Sequence, residues 1–269
     1  EISACLVGSE MCIRDRISGD MTLGALLDLG ADKKVFLAEL EKLHLEGYEI
    51  AFETTQRNAI TATHVNVILT GQEQAHDHTH EHDHEHTHNH SHDHGHGHFH
   101  RSFRDIRQMI QNSELSKEVK DLSLRIFTRV ARAEAKVHHR DMEEVQFHEV
   151  GAVDSIVDIV GSAILITMLK PDRIFASVVQ DGHGFVHCQH GMLSVPVPAV
   201  CEIFAESDVL IRQIDVDTEL VTPTGAAIIS ELADSFGTMP VMTIDKMGWG
   251  AGTKILKIPN CLLYTSPSP

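Results

Sequence analysis

Apolar residues recur along this chain at helical spacing in some stretches and at alternate positions in others, and the two periods mark out its elements. Leu23, Leu26, Leu27 and Leu29 share one face that stops at Gly30. Val35 to Leu45 repeats the pattern with Leu37, Leu40 and Leu43, and stops before Gly47. Both predict helices closed by glycine, which readily takes the left-handed conformation that ends a last turn. In the runs Tyr48 to Thr55 and Thr63 to Leu69, Thr, Val and Ile alternate with polar residues, which predicts two strands. The apolar pattern then vanishes from Gln72 to His100.

It returns with Ser102 and Asp105, spaced as a capping box that opens a helix to about Gln111. Ser116 caps a longer helix to about Val137, whose stripe is Val119, Leu122, Ile126, Val130 and Ala133. Ala152 to Leu169 is apolar nearly all round and belongs in a core. Strands are predicted at Arg173 to Val179 and Val209 to Ile214, and helices near Pro198 to Ala205 and Thr224 to Ser235. The fold class is therefore α/β or α+β: a mixed sheet flanked by helices, with a disordered His-rich insert. The order of the strands is not readable from the pattern.

Composition changes this picture at the two ends. Glu1 to Arg16 has neither a sustained period nor a cap, and Cys261 to Pro269 is unlike what precedes it. Both strings resemble translated sequencing-adapter sequence. The expected organisation is a non-native extension over 1–16, the first part of an α/β domain over 17–71, and a His-rich linker over 72–100. The main α/β domain covers 101–260 and a non-native tail 261–269. Of five cysteines, Cys5, Cys12 and Cys261 then drop out, leaving Cys188 and Cys201. That gives no disulfide framework and favours a reducing cytoplasm. The formal charge of −17 lacks the basic surplus that nucleic acid requires, and no apolar run approaches the roughly 20 residues that span a bilayer.

The gap in the pattern holds the most conspicuous chemistry. Every second residue is histidine: His76, His78, His80, His82, His84, His86, His88, His90, His92, His94, His96, His98 and His100. Neutral imidazole is a good ligand for nickel, zinc and copper, and dense spacing lets overlapping ligand sets form without a prebuilt cage. Asp77, Glu81, Asp83, Glu85 and Asp93 among the spacers add attraction for cations. Ligand type alone does not select the ion, because affinity follows the usual divalent order.

A second constellation lies in Phe147-His148-Glu149-Val150-Gly151-Ala152-Val153-Asp154-Ser155-Ile156-Val157-Asp158. Asp154 and Asp158 fall on one face of an otherwise apolar helix, with His148 and Glu149 just before it. Two carboxylates in a core need a metal, a basic residue or a ring of donors to compensate them. The pair therefore marks either a pocket or a set of ion pairs.

Several stretches in order, ISGDM (Ile17 to Met21), the histidine insert, FHEVGAVDSIVDIVG, GFVHCQHGMLSVPVPA (Gly184 to Ala199), ELVTPTGAA (Glu219 to Ala227) and GWGAGT (Gly248 to Thr253), resemble the LarC family of nickel insertion proteins. The resemblance covers nearly all of Ile17 to Asn260. It implies insertion of Ni(II) into pyridinium-3,5-bisthiocarboxylic acid mononucleotide, giving the nickel-pincer cofactor of lactate racemase and related enzymes. It also implies linkage to CTP with a divalent metal, and an apo-enzyme that receives the cofactor. By motif match, Asp20, His148, Glu149, Asp154, Asp158 and His190 are the expected catalytic residues. Thr222, Thr224, Gly250 and Gly252 are the expected cofactor-binding ones. Family members begin with a strand before ISGDM and continue past Asn260 into a region associated with nucleotide binding, so the resemblance leaves turnover by this chain open. Two other readings use the same residues: a nickel or zinc store without catalysis, and a metal-dependent hydrolase.

Overall fold

The computed structural model describes residues 10–70, 101–145, 147, 153–188 and 191–267. The chain enters as β1 (Glu10–Arg14), turns through α1 (Gly19–Asp28) and α2 (Lys33–Glu41), and forms a long hairpin of β2 (Tyr48–Arg57) and β3 (Ile60–Leu69). Three helices follow, α3 (Phe103–Asn112), α4 (Lys117–His138) and α5 (Val153–Leu169). Then come β4 (Arg173–Ala176), β5 (Val179–Asp181), β6 (Phe185–Cys188), β7 (Gly191–Ser194), α6 (Pro198–Ala205), β8 (Ile211–Gln213) and α7 (Pro223–Leu232). The described chain closes with β9 (Ser235–Phe236), β10 (Ile244–Ala251) and β11 (Cys261–Pro267).

Seven strands make one mixed sheet in the order β2-β3-β10-β11-β1-β4-β9. β1 runs parallel to β4 and antiparallel to β11, while β10 is parallel to β3. Helix α5 packs on α1, α2 and α4 and has Ile156, Val157, Ile159 and Val160 fully buried, as its all-round apolar sequence requires. The α4 stripe from Val119 to Ala133 is buried against the same core. At α3, Ser102 and Asp105 close both halves of the capping box. The mixed α/β expectation holds; the His-rich insert lies outside the described residues.

The ends differ from the sequence reading. Glu10–Arg14 and Cys261–Pro267 carried no predicted element, yet they are neighbouring strands in the middle of the sheet, with Cys12 opposite Thr265. Met11, Cys12 and Ile13 are buried in succession, so the strand shows no alternation that a period-two search would find. The folded sheet thus extends past both boundaries expected at residues 17 and 260. Helix α1 follows directly from β1, which fixes where Asp20 lies.

Helix α1 rests unusually close on the sheet. A methyl group at Gly250 of β10 would lie 1.8 Å from the Met21 carbonyl oxygen, and one at Gly24 would lie 2.3 Å from the Thr63 carbonyl oxygen. Gly250→Ala is therefore expected to push α1 off β10 and cost about 3 kcal/mol or more, at the upper end of overpacking penalties. Urea unfolding would show it as a lowered midpoint, and an unchanged midpoint would mean that α1 does not sit this close. Among the described residues, no helix is long and apolar enough to cross a membrane.

Candidate functional site

The first turns of three helices meet at one cleft of about 320 Å³. Helix α1 supplies Ser18, Gly19 and Asp20, α5 supplies Asp154, Ser155 and Asp158, and α7 supplies Thr222, Pro223 and Thr224. Glu219, Thr253 and the β3 segment Val65 to Val67 complete the walls. Helix N-termini carry partial positive charge, which favours carboxylates placed in the first turn, as Asp20 and Asp154 are.

Local sequence sets each position. Ser18 is the N-cap residue of α1, but its hydroxyl makes no capping bond and instead donates to Asp20 Oδ1. Thr253 Oγ1 lies 3.5 Å from Asp20 Oδ2, so the carboxylate is held from both sides. Thr222 caps α7 by accepting from the Gly225 backbone N–H at 3.1 Å, and its own N–H donates to the Ile17 carbonyl at 3.3 Å. The starts of α1 and α7 are thereby tied together. Gly19 explains how Asp158 fits: a Cβ there would lie 2.2 Å from Asp158 Oδ2, so the carboxylate occupies the space a side chain would need.

Asp158 is half-buried and opens on the cleft. Its carboxyl is raised well above the ordinary carboxylate range, first by loss of surrounding water and then by the Asp20 and Asp154 charges. Asp154 reaches the surface; it too is raised, again chiefly by desolvation, against the opposing pull of the Ser155 backbone N–H at 2.8 Å. Among the described residues that line the cleft there is no Lys or Arg. Among the described residues, no three His, Cys, Asp or Glu side chains are grouped so as to hold a metal ion by themselves.

The structure thus brings Asp20, Asp154, Asp158, Thr222 and Thr224 to one place. His148, Glu149, His190 and the histidines from His76 to His100 lie outside the described residues. Gly250 and Gly252 do not line the cleft. Both are closely packed: a Cβ at Gly252 would lie 2.5 Å from the Asn260 amide nitrogen and one at Gly250 would strike α1. The adjoining Thr253 is the residue of that motif which reaches the site.

Sequence reading passed over Ser18, Glu219, Thr253 and, most of all, Asp181. At the end of β5, Asp181 is wholly buried, and its Oδ1 accepts from the backbone N–H groups of Gly182 (2.8 Å), Leu220 (2.8 Å) and Val221 (3.2 Å). It therefore anchors the loop that runs into Thr222. Its Oδ2 is buried with no hydrogen-bond partner among the described residues, and burial raises its carboxyl against the pull of those N–H groups. No local motif announces it; only an isolated acid after an apolar strand marks the position. Asp181→Ala would orphan three buried donors, at about 1–3 kcal/mol for each that water does not reach. Chemical denaturation is expected to show a large loss, with Asp181→Asn recovering part of it through the retained acceptor. Equal losses in both variants would mean that the charge, rather than the acceptor, holds the loop.

Fold and cleft define an α/β protein with an acidic, hydroxyl-rich cleft at the convergence of helix N-termini. A profile of the nickel insertion protein family matches residues 13–267, and the chain belongs to that family. It is 50% identical over 237 residues to a protein of Acetivibrio thermocellus called pyridinium-3,5-bisthiocarboxylic acid mononucleotide nickel insertion protein, covering 88% of this chain and 54% of the relative. A protein of the same name from Clostridium acetobutylicum is 52% identical over 255 residues, covering 91% and 60%. A putative nickel insertion protein of Dictyoglomus thermophilum is 39% identical over 246 residues, covering 91% and 57%. The chain spans about half the length of the curated relatives it matches. No solved structure matches it significantly.

Proposed function

We propose that this chain supplies the nickel-handling half of an enzyme that inserts Ni(II) into pyridinium-3,5-bisthiocarboxylic acid mononucleotide, and that the cleft is where ion and substrate meet. The observation that carries this reading is the convergence of Asp20, Asp154 and Asp158 at one cleft that has no Lys or Arg among the described residues of its lining. The names of the relatives supply the substrate.

Nickel is cargo in this reaction. Carboxylates attract a hydrated divalent ion without binding it as tightly as a full cage would, and the two sulfur donors of the substrate then replace water on the metal. Forming the nickel–carbon bond releases the ring proton, which needs an acceptor. Asp158 is the best placed: it opens on the cleft, and loss of surrounding water with two neighbouring carboxylates raises its proton affinity, which favours it as a proton acceptor. Asp20, fixed by Ser18 and Thr253, stays oriented toward the ion. Thr222 and Thr224 offer hydroxyls to the sugar and phosphate. The histidine tract from His76 to His100 is assigned as the reservoir that feeds the cleft. CTP and its divalent metal are assigned to the part of the relatives that this chain does not span, and the apo-enzyme receiving the cofactor is the expected downstream partner.

The test is direct. Incubating the full-length Acetivibrio thermocellus relative with Ni(II), CTP and the dithiolated mononucleotide should yield the nickel complex by mass spectrometry. Recovery of only unmetallated substrate would reject the reading.

A further inference from the structure

Beside the cleft lies a second pocket of about 360 Å³, and among the described residues none of those expected from the sequence lines it. It is walled by α4, the β6–β7 hairpin and the starts of α6 and α7. The hairpin pairs Val186 with Leu193, and both line the pocket, whereas the neighbouring Phe185 and Met192 face outward at 64% and 62% exposure. Val197 and Pro223 complete an apolar surface suited to a flat ring. Among the described residues the ionisable lining is Glu134 of α4, with His138 Nε2 at 3.2 Å, then Glu219, His187 and Cys188, and it includes neither Lys nor Arg. Glu219 and Pro223 belong to the walls of both this pocket and the cleft, so the two compartments adjoin.

We propose that this pocket is a ring subsite: it takes a planar, cationic heteroaromatic ring of the pyridinium class and turns the ring's metal-binding edge across Glu219 and Pro223 into the carboxylate cleft. The inference rests on the reading of the cleft given above. An apolar slot edged by two carboxylates attracts a delocalised cation, since burial of the ring faces and attraction of its charge act together. A neutral ring gains only the first. An anionic ring substituent points toward the cleft, where a bound divalent ion offsets the repulsion of the acids.

Titration calorimetry of the 269-residue chain with nicotinic acid mononucleotide, in the presence of Ni(II), tests the assignment. Uridine monophosphate, which carries a neutral ring on the same kind of sugar phosphate, is expected to bind about tenfold more weakly. Filling the pocket by Ala199→Leu or, from the opposite wall, Leu193→Phe should weaken nicotinic acid mononucleotide by at least about tenfold, and Glu219→Gln by a comparable factor. Nickel stoichiometry should stay at the parent value in both filling variants, and a melt of each checks the fold. If the parent binds the pyridinium nucleotide and a folded filling variant binds it equally well, the ring subsite is wrong while the cleft reading stands. Equal affinity for the two nucleotides also removes the subsite. If the parent binds no pyridinium nucleotide at all, both readings fall together.

Discussion

Asp158→Asn is expected to abolish cofactor formation in a full-length relative with the same motif, by at least about 100-fold, the scale of a lost general base, while the protein becomes harder to melt. The two effects have one cause. Asp158 sits where water is scarce and two other carboxylates are near, so its ionised form is disfavoured in the folded chain. A folded-state pKa above the unfolded value means that, as pH rises from the ordinary carboxylate range through the raised value, the unfolded chain has already lost a proton the folded one still holds. Stability therefore falls across that window and stays lower at neutral pH. Asparagine keeps the size and removes the charge, which relieves the cost; each kcal/mol recovered corresponds to roughly 2–4 °C in a domain of this size. Thermal melts of the metal-free protein at pH 7 and pH 4 should show the gain at pH 7 and little at pH 4. A variant that melts below the parent at pH 7 would mean that Asp158 balances a positive charge, and one that still completes the cofactor would remove it from the proposed chemistry. Asp154→Asn should also suppress turnover, with a smaller thermal gain because its side chain reaches the surface.

Deleting Gln72 to His98 should remove most of the nickel equivalents bound by the chain and leave its fold intact. The deleted stretch holds twelve of the thirteen alternating histidines and, apart from Ala75, no apolar side chain that a core would miss. Strand β3 ends at Leu69 and α3 begins at Phe103, so neither element is cut. Calorimetry with Ni(II) on parent and deletion variant, beside circular dichroism, decides the matter: equal stoichiometry would show that the tract is not the reservoir. In the parent, binding should weaken as pH falls through about 6.5, where imidazole takes up the proton that blocks its lone pair. Retained affinity at pH 5 would assign the ions to carboxylates instead. Asp158→Asn and the deletion should separate cleanly, the first sparing stoichiometry and the second sparing the melting behaviour of the core.

The sequence by itself determined the helices from α3 to α5, because α4 buries a stripe that repeats at 3.6 residues, α5 is apolar nearly all round, and the caps of α3 and α4 obey local rules at Ser102 and Ser116. It also nominated the tract as a candidate metal-binding segment, by ligand type and spacing, and Asp154 and Asp158 as candidate site residues, whose charges are out of place on an apolar helix. Strands were harder. The span from Ile244 to Ala251 carried no predicted element, yet it is β10, and its glycines admit the backbone of α1 at contact distance. β1 and β11 show no alternation because both sit inside the sheet, where pairing partners from distant parts of the chain, rather than local preference, decide the conformation. The site divides in the same way. The family resemblance could nominate Asp20 and Thr222, but only the tertiary structure could add Asp181, which holds Leu220 and Val221 from a strand some forty residues away. Helix periods are written in near neighbours, whereas a cleft made from three helix starts depends on contacts across the whole chain, and no local pattern encodes those.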